Sequence, residues 1–245
     1  EDGIRDTSVT GVQTCALPIF FLDHRLAMVR LSELVGTLTS AYLITEDERY
    51  AAHAVTHLEA WFVQSSTKMN PSLLYGQAIQ GRYKGRSIGI IDTLHLAEVA
   101  RSAKILCSSP SFSTSSQVGV RQWFQTYLTW INTHEYGIRE KNHPNNHGVC
   151  WSLQAASFAD FVGEDEILQW IREQFKSVYL QEMMDESGGF PAELARTKPY
   201  GYSLFVIDAM AGVAQIVSTE ANDLWEFQLP DGRGMHRGVR FIMPY

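Results

Sequence analysis

The chain has 245 residues, 45% of them hydrophobic and 19% charged, an ordinary globular balance with length for one large domain or two small ones. That composition excludes disordered, collagen-like and disulfide-scaffold classes. The 20 basic residues stand against 27 acidic ones without any Lys/Arg run, so neither nucleic acid nor an anionic membrane has electrostatic support, and a polyanion would be held only by a few local cations.

The opening EDGIRDTSVTGVQTCALPI reads as translated sequencing-adaptor DNA, since GVQTCALPI matches GGA GTT CAG ACG TGT GCT CTT CCG ATC codon by codon. Residues 1–19 are therefore expected to lie outside the fold, with a single domain, 20–245, entering near Phe20 as a fragment. Setting them aside removes Glu1, Asp2, Asp6 and Arg5 and leaves the balance acidic. It also removes Cys15, and Cys107 and Cys150 then have neither metal-ligand spacing nor the density of a secreted scaffold. The longest apolar run, Leu204 to Val217, is interrupted by Asp208 and Gln215 and falls short of a membrane span.

Helical periodicity dominates the rest. Met28, Leu31, Leu34, Val35 and Leu38 predict a helix from Asp23 to about Ser40. Thr45 with Glu48 has capping-box spacing and predicts a second helix through Trp61 and Phe62. A polar, Gly-bearing stretch, Ser65 to Ser87, leads to a third, marked by Ile88, Ile91, Val99 and Ile105, and the Ser-rich SSPSFSTSS after it reads as an exposed loop. Trp123, Phe124, Tyr127, Leu128 and Ile131 mark a fourth helix. After the polar EYGIREKNHPNNH, a fifth runs from about His147 to Phe161, with Gly163 as its stop. A sixth carries Ile167 to Tyr179 and ends near Met184, and a long loop, DESGGFPAELARTKPYG, precedes a seventh from about Tyr202. Loops of that size inside a domain are usually functional. The pattern predicts an all-α fold, an (α/α) toroid or barrel of paired helices.

Two segments carry chemistry. In Asn145-Asn146-His147-Gly148-Val149-Cys150-Trp151 two amides and an imidazole stand where a loop enters a helix, which simple capping also explains. The loop from Gly188 to Ser203 holds Glu193, Arg196, Lys198, Tyr200 and Tyr202, and alone it reads equally as a solvated connection.

Together these segments resemble polysaccharide lyases of the alginate and glucuronan type, whose sites combine Asn-Asn-His with a later Arg and Tyr. The chain has N-N-H-G-x-x-W, then E-L-A-R-T-K-P, then G-Y-S-L-F, and its MNPSLLYGQAIQG and GRSIGIIDT look like earlier substrate-cleft segments of that family. The resemblance implies an (α/α) toroid, β-elimination on an anionic uronic-acid polysaccharide, no metal or other cofactor, and a periplasmic or secreted location. It also implies that relatives continue past the closing GRGMHRGVRFIMPY, leaving the chain cut at both ends.

The residues suit that chemistry. Removing the C5 proton beside a carboxylate requires the growing enolate-like charge to be neutralised, and the Asn146 amide with the planar fork of Arg196 can do so. His147 is the natural base near neutral pH. Tyr202 can protonate the leaving oxygen, and beside an Arg it could also abstract the proton. Which of the two acts as base depends on whether the C5 hydrogen and the leaving oxygen share a face. Tyr200 rivals Tyr202, which is preferred because the family tyrosine directly precedes Ser-Leu-Phe. Asn70, Gln77, Tyr75, Trp151, Lys198 and Tyr200 are candidate sugar-binding residues. Three other readings compete: a metal on His143 and His147, which Pro144 between them disfavours; a hydrolase using Asp185 and Glu193; and a non-catalytic glycan-binding module. The sequence leaves the oligomeric state and the choice among mannuronate, guluronate and glucuronate open.

Overall fold

The computed structural model describes residues 22–244, so the expected adaptor-derived segment 1–19 lies outside the described residues. Among the described residues there is no strand; two isolated bridges, Ile79 with Tyr83 and Thr219 with Asn222, pin tight turns. The helices pack side by side as an (α/α) toroid, as expected. Helices α1 (Leu22–Thr45) and α2 (Glu48–Phe62) form the first pair. A 3-10 segment, Ser87–His95, runs straight into α3 (Leu96–Leu106), followed by α4 (Thr114–Thr133), α5 (Glu135–Lys141) and α6 (Asn146–Val162). Helix α7 (Asp165–Gln174) widens into a π segment, Phe175–Met183, before the short α8 (Pro191–Leu194), α9 (Pro199–Val217) and α10 (Met235–Ile242).

Helix α6 is the hub. Val149, Cys150, Trp151, Ala155, Ala156, Phe158, Ala159 and Phe161 cover every side of it and all are buried, as befits a helix surrounded by its neighbours. It packs against α3, α4, α5, α7, α9 and the 3-10 segment. Phe62, Trp123, Phe124, Tyr127, Phe158 and Phe161 interlock beside it in tilted and edge-on pairs. Helix α9 is long and apolar enough to cross a membrane by length and composition, longer than the apolar run read from the sequence. Its Val206, Met210, Val213, Ala214 and Val217 are buried in the helical core, and it packs on α6.

Several local expectations change. Thr45 closes α1 by bonding the Ala41 carbonyl (2.7 Å), and Asp47, accepting from the Arg49 amide (3.0 Å), caps α2 instead of a Thr45–Glu48 box. Glu48 has other duties: its carboxylate accepts from the hydroxyls of Ser109 (2.6 Å) and Ser111 (2.8 Å). The Ser-rich loop is thus folded onto α2, with Phe112 buried and Ser113 capping α4. The polar EYGIREK is helix α5, and Gly163 stops α6 as expected, at φ 90°.

Candidate active site

The N-terminus of α6 presents the first two site residues. Asn145 caps it, its side chain accepting from the His147 amide (3.0 Å), so Asn146 and His147 occupy the first turn of a helix that the core holds fixed. The positive end of the helix dipole also favours a nearby anion. Asn146 is 1% exposed and faces Glu193, itself wholly buried on α8. The Asn146 backbone N–H donates to Glu193 Oε1 (2.6 Å), and Nδ2 lies 3.0 Å from Oε1 and 2.9 Å from Oε2. The carboxylate accepts only, so it fixes which way round the amide sits. Its two oxygens subtend a far smaller angle at Nδ2 than the two amide hydrogens do. One N–H is therefore shared between both oxygens, and the second remains for the cavity that Asn146 lines.

His147 is held the same way. Its Nδ1 is 2.6 Å from Glu140 Oε1, and Glu140 is wholly buried at the end of α5. With Nδ1–H donated to that carboxylate, Nε2 is the nitrogen left to accept a proton. His143 stacks against it with ring centroids 5.0 Å apart. Burial, reinforced by His147 and Arg196, holds His143 below the ordinary histidine value despite the opposing effects of Glu140 and Asn145. Among the described residues no set of three or more His, Cys, Asp or Glu side chains gathers as a metal site.

Arg196 and Tyr202 come from the exit of α8 and the first turn of α9. The guanidinium carbon sits 4.0 Å from the centroid of the Tyr202 ring, a cation–π stack that keeps charge and phenol in register. All four residues line one cavity of about 320 Å³, together with Arg25, Ile91, Asp92, Leu94, His95 and Phe205, within the size range of ligand pockets. The 3-10 segment supplies Ile91, Asp92, Leu94 and His95 to its lining. Gly85 and Gly89 let that segment lie on the backbone of residues 74–76, where an added Cβ would fall 1.8 Å from the Leu74 carbonyl oxygen or 2.5 Å from the Gly76 carbonyl carbon. Thr93 locks it to the core, 2.7 Å from the Tyr127 hydroxyl and 2.6 Å from Gln154 Oε1.

The structure brings together Asn146, His147, Arg196 and Tyr202 and separates the secondary candidates. Trp151 is corrected outright: it is fully buried, donates to the Ile131 carbonyl (3.2 Å) and meets Trp170 edge-on, so neither face is open to a sugar. Lys141 covers that indole pair. Gln77 stands behind the cavity, its Nε2 3.2 Å from Asp92. Tyr75 lines a separate hollow of about 490 Å³ with Arg82, Tyr83 and Lys84. Asn70, Lys198 and Tyr200 are exposed and outside the cavity wall. Of the hydrolase pair, Glu193 is engaged by Asn146, and Asp185 accepts from the amides of Ser187 and Gly189 in a turn. Burial alone would raise the Asp185 carboxyl; the Ser187 hydroxyl, which donates to it (2.5 Å), together with those amides outweighs burial and lowers it.

Sequence reasoning missed Glu140, Arg25, Asp92 and His95. Glu140 lay in a tract read as polar loop, and its i−7 spacing to His147 has meaning only once α5 turns back on α6. Asp92 lies inside GRSIGIIDT, a segment already read as part of the cleft, but was not singled out there, and Arg25 has no local signal, the two being joined across the fold by an ion pair (3.3 Å).

A family model described as "Alginate lyase" matches residues 18–245. A crystal structure of an alginate lyase from Bacteroides ovatus is 32% identical with a TM-score of 0.85, over 90% of this chain and 59% of that one. Alginate lyase A1-III from Sphingomonas species A1 is 18% identical (TM-score 0.61, 89% of this chain, 58% of that). A histidine-to-alanine A1-III variant complexed with tetrasaccharide is 17% identical (TM-score 0.66, 87% and 56%). The A1-III likenesses show the fold alone. The chain spans about three-fifths of the length of these solved relatives. No curated protein matches it.

Proposed function

Because the chain belongs to the alginate lyase family, we propose that it is a polysaccharide lyase that cleaves a uronic-acid-containing polysaccharide, alginate (polymannuronate) or glucuronan, by β-elimination. The observation that carries this reading is the convergence of Asn146, His147, Arg196 and Tyr202 on one cavity. The tetrasaccharide bound in the A1-III variant accords with a carbohydrate polymer as substrate.

In this reading Arg196 and the second amide N–H of Asn146 receive the uronate carboxylate. As the C5–H bond breaks, charge moves onto that carboxylate, and donors already in place stabilise the transition state more than the ground state. His147 Nε2 takes the proton, and the imidazolium is compensated by Glu140 behind it. Tyr202 gives its phenolic proton to the departing glycosidic oxygen. The C5 carbanion pair becomes the C4=C5 double bond as the C4–O bond breaks, so the products are a new reducing end and an unsaturated non-reducing end. Where hydrogen and leaving oxygen share a face, Tyr202 performs both transfers. None of these steps calls for a metal or other cofactor. A polymer of this kind places the enzyme in the periplasm or outside the cell.

The test is to incubate the chain with polymannuronate, polyguluronate and glucuronan while following the ultraviolet absorbance of the conjugated double bond. Absorbance rising with chain scission on one of them supports the reading. Scission without absorbance would mean hydrolysis, and binding without scission a glycan-binding module.

A further inference from the structure

The same cavity that Arg196 lines carries further charge that the elimination does not use. Arg25, near the start of α1, reaches Asp92 of the 3-10 segment through Nε (3.3 Å), its side chain 46% exposed and that of Asp92 21%. Asp92 Oδ1 also accepts from Gln77 Nε2 (3.2 Å), and Gln77 Oε1 accepts from Arg86 (3.2 Å), so the carboxylate is braced from behind. An unpaired carboxylate facing a polyuronate would repel it. Paired with Arg25 it does not, and the pair leaves the terminal nitrogens of Arg25 and Asp92 Oδ2 without protein partners among the described residues. A guanidinium held by Nε alone still offers donors that match a carboxylate, and a carboxylate oxygen accepts well from sugar hydroxyls.

We propose that Arg25 and Asp92 form a second sugar-recognition point, in which Arg25 takes the carboxylate of the uronate unit adjoining the one held by Arg196 while Asp92 accepts from that unit's hydroxyls. Resting on the lyase reading, this deepens it: the enzyme requires two consecutive charged units and discriminates against a polymer whose uronates alternate with neutral sugars.

Binding is read by calorimetry on Tyr202→Phe protein with tetramannuronate and with the two tetramannuronates methyl-esterified on the unit to either side of the scissile one. Without the substitution at Arg25, one of the two esters should bind at least tenfold more weakly than the free acid. Arg25→Gln should weaken the free acid about as much and then no longer distinguish that ester from it. Asp92→Asn, which keeps shape and loses charge, should weaken all ligands while preserving the preference for the acid. Thermal unfolding of each variant guards against misfolding. Unchanged affinity in Arg25→Gln, or ester discrimination that survives it, overturns the proposal. Failure of the lyase reading shows separately, as absent double-bond absorbance with the unsubstituted chain, while these binding differences stay readable.

Discussion

Tyr200 and Tyr202 differ by two positions and by everything that matters for proton transfer. Tyr200 is half exposed and away from the cavity, whereas Tyr202 lines it under the Arg196 guanidinium. Tyr202→Phe should lower turnover by about 10²–10⁴-fold, the usual contribution of a general acid or base, with Tyr200→Phe keeping most activity; the reverse pattern would move the acid by two residues. Arg196→Lys keeps charge and loses the fork, so kcat should fall more than KM rises. An effect on KM alone would make Arg196 a peripheral contact. Glu140→Gln should leave KM near its original value and lower kcat by about 10²-fold, because the imidazolium loses its compensating charge. Steady-state kinetics decides both. At this scale the motifs were legible because Asn-Asn-His and the Arg–Tyr loop are short and contiguous. Their supports, Glu140 and Glu193, were not recognised as supports. Burying a carboxylate is costly unless it is hydrogen-bonded, and that bonding exists only after α5 and α8 close on α6.

Among the elements, amphipathic or wholly apolar helices were easy to place, since their periodicity is set by the face they bury. The sequence misjudged segments whose polar residues bond inside the protein. Ser109, Ser111 and Ser116 satisfy Glu48 and Glu59, and α5 hides Glu140 behind exposed Glu135 and Arg139. The 3-10 segment misled differently. Its apolar residues fit a helix, but its close approach to residues 74–76 depends on glycine. Gly89→Ala would drive a Cβ against the Gly76 backbone, which has no flexible end to yield. Urea unfolding should show about 1–3 kcal/mol of lost stability, as for overpacking. Substrate affinity should fall as well, because Asp92 moves with the segment. A variant as stable and as tight-binding as the parent would show that the two segments are not rigidly packed.

Taken whole, the molecule assembles its site from α1, the 3-10 segment, α5, α6, α8 and α9, so site geometry and global stability rise and fall together. Three histidines make that stability sensitive to mild acid. Burial holds His57, His95 and His143 below the ordinary value of 6.5, reinforced by His53 at His57, by Arg25 at His95, and by His147 and Arg196 at His143. Asp92 and Glu33 oppose the shift at His95, as Glu140 and Asn145 do at His143. Each group binds a proton more readily in the unfolded chain than in the native one. Their effect is therefore absent well above pH 6.5 and becomes destabilising as pH falls through the unfolded-state value toward the lower native ones. The carboxylates held low, Asp47, Glu48, Asp185 and Asp231, lose their stabilising effect only in stronger acid, progressively as pH falls from the usual carboxylate range toward their lower native values. The urea midpoint should thus be level from pH 8 to about 7 and decline between pH 6.5 and 5. His57 is the clean probe: it lies on α2, outside the cavity lining, with Nε2 buried and without a hydrogen-bond partner among the described residues. His57→Leu cannot titrate, so its midpoint should decline less steeply over that interval while activity at pH 7.5 is unchanged. Equal slopes for parent and variant would remove His57 from the acid response, and a flat parent curve would remove all three histidines.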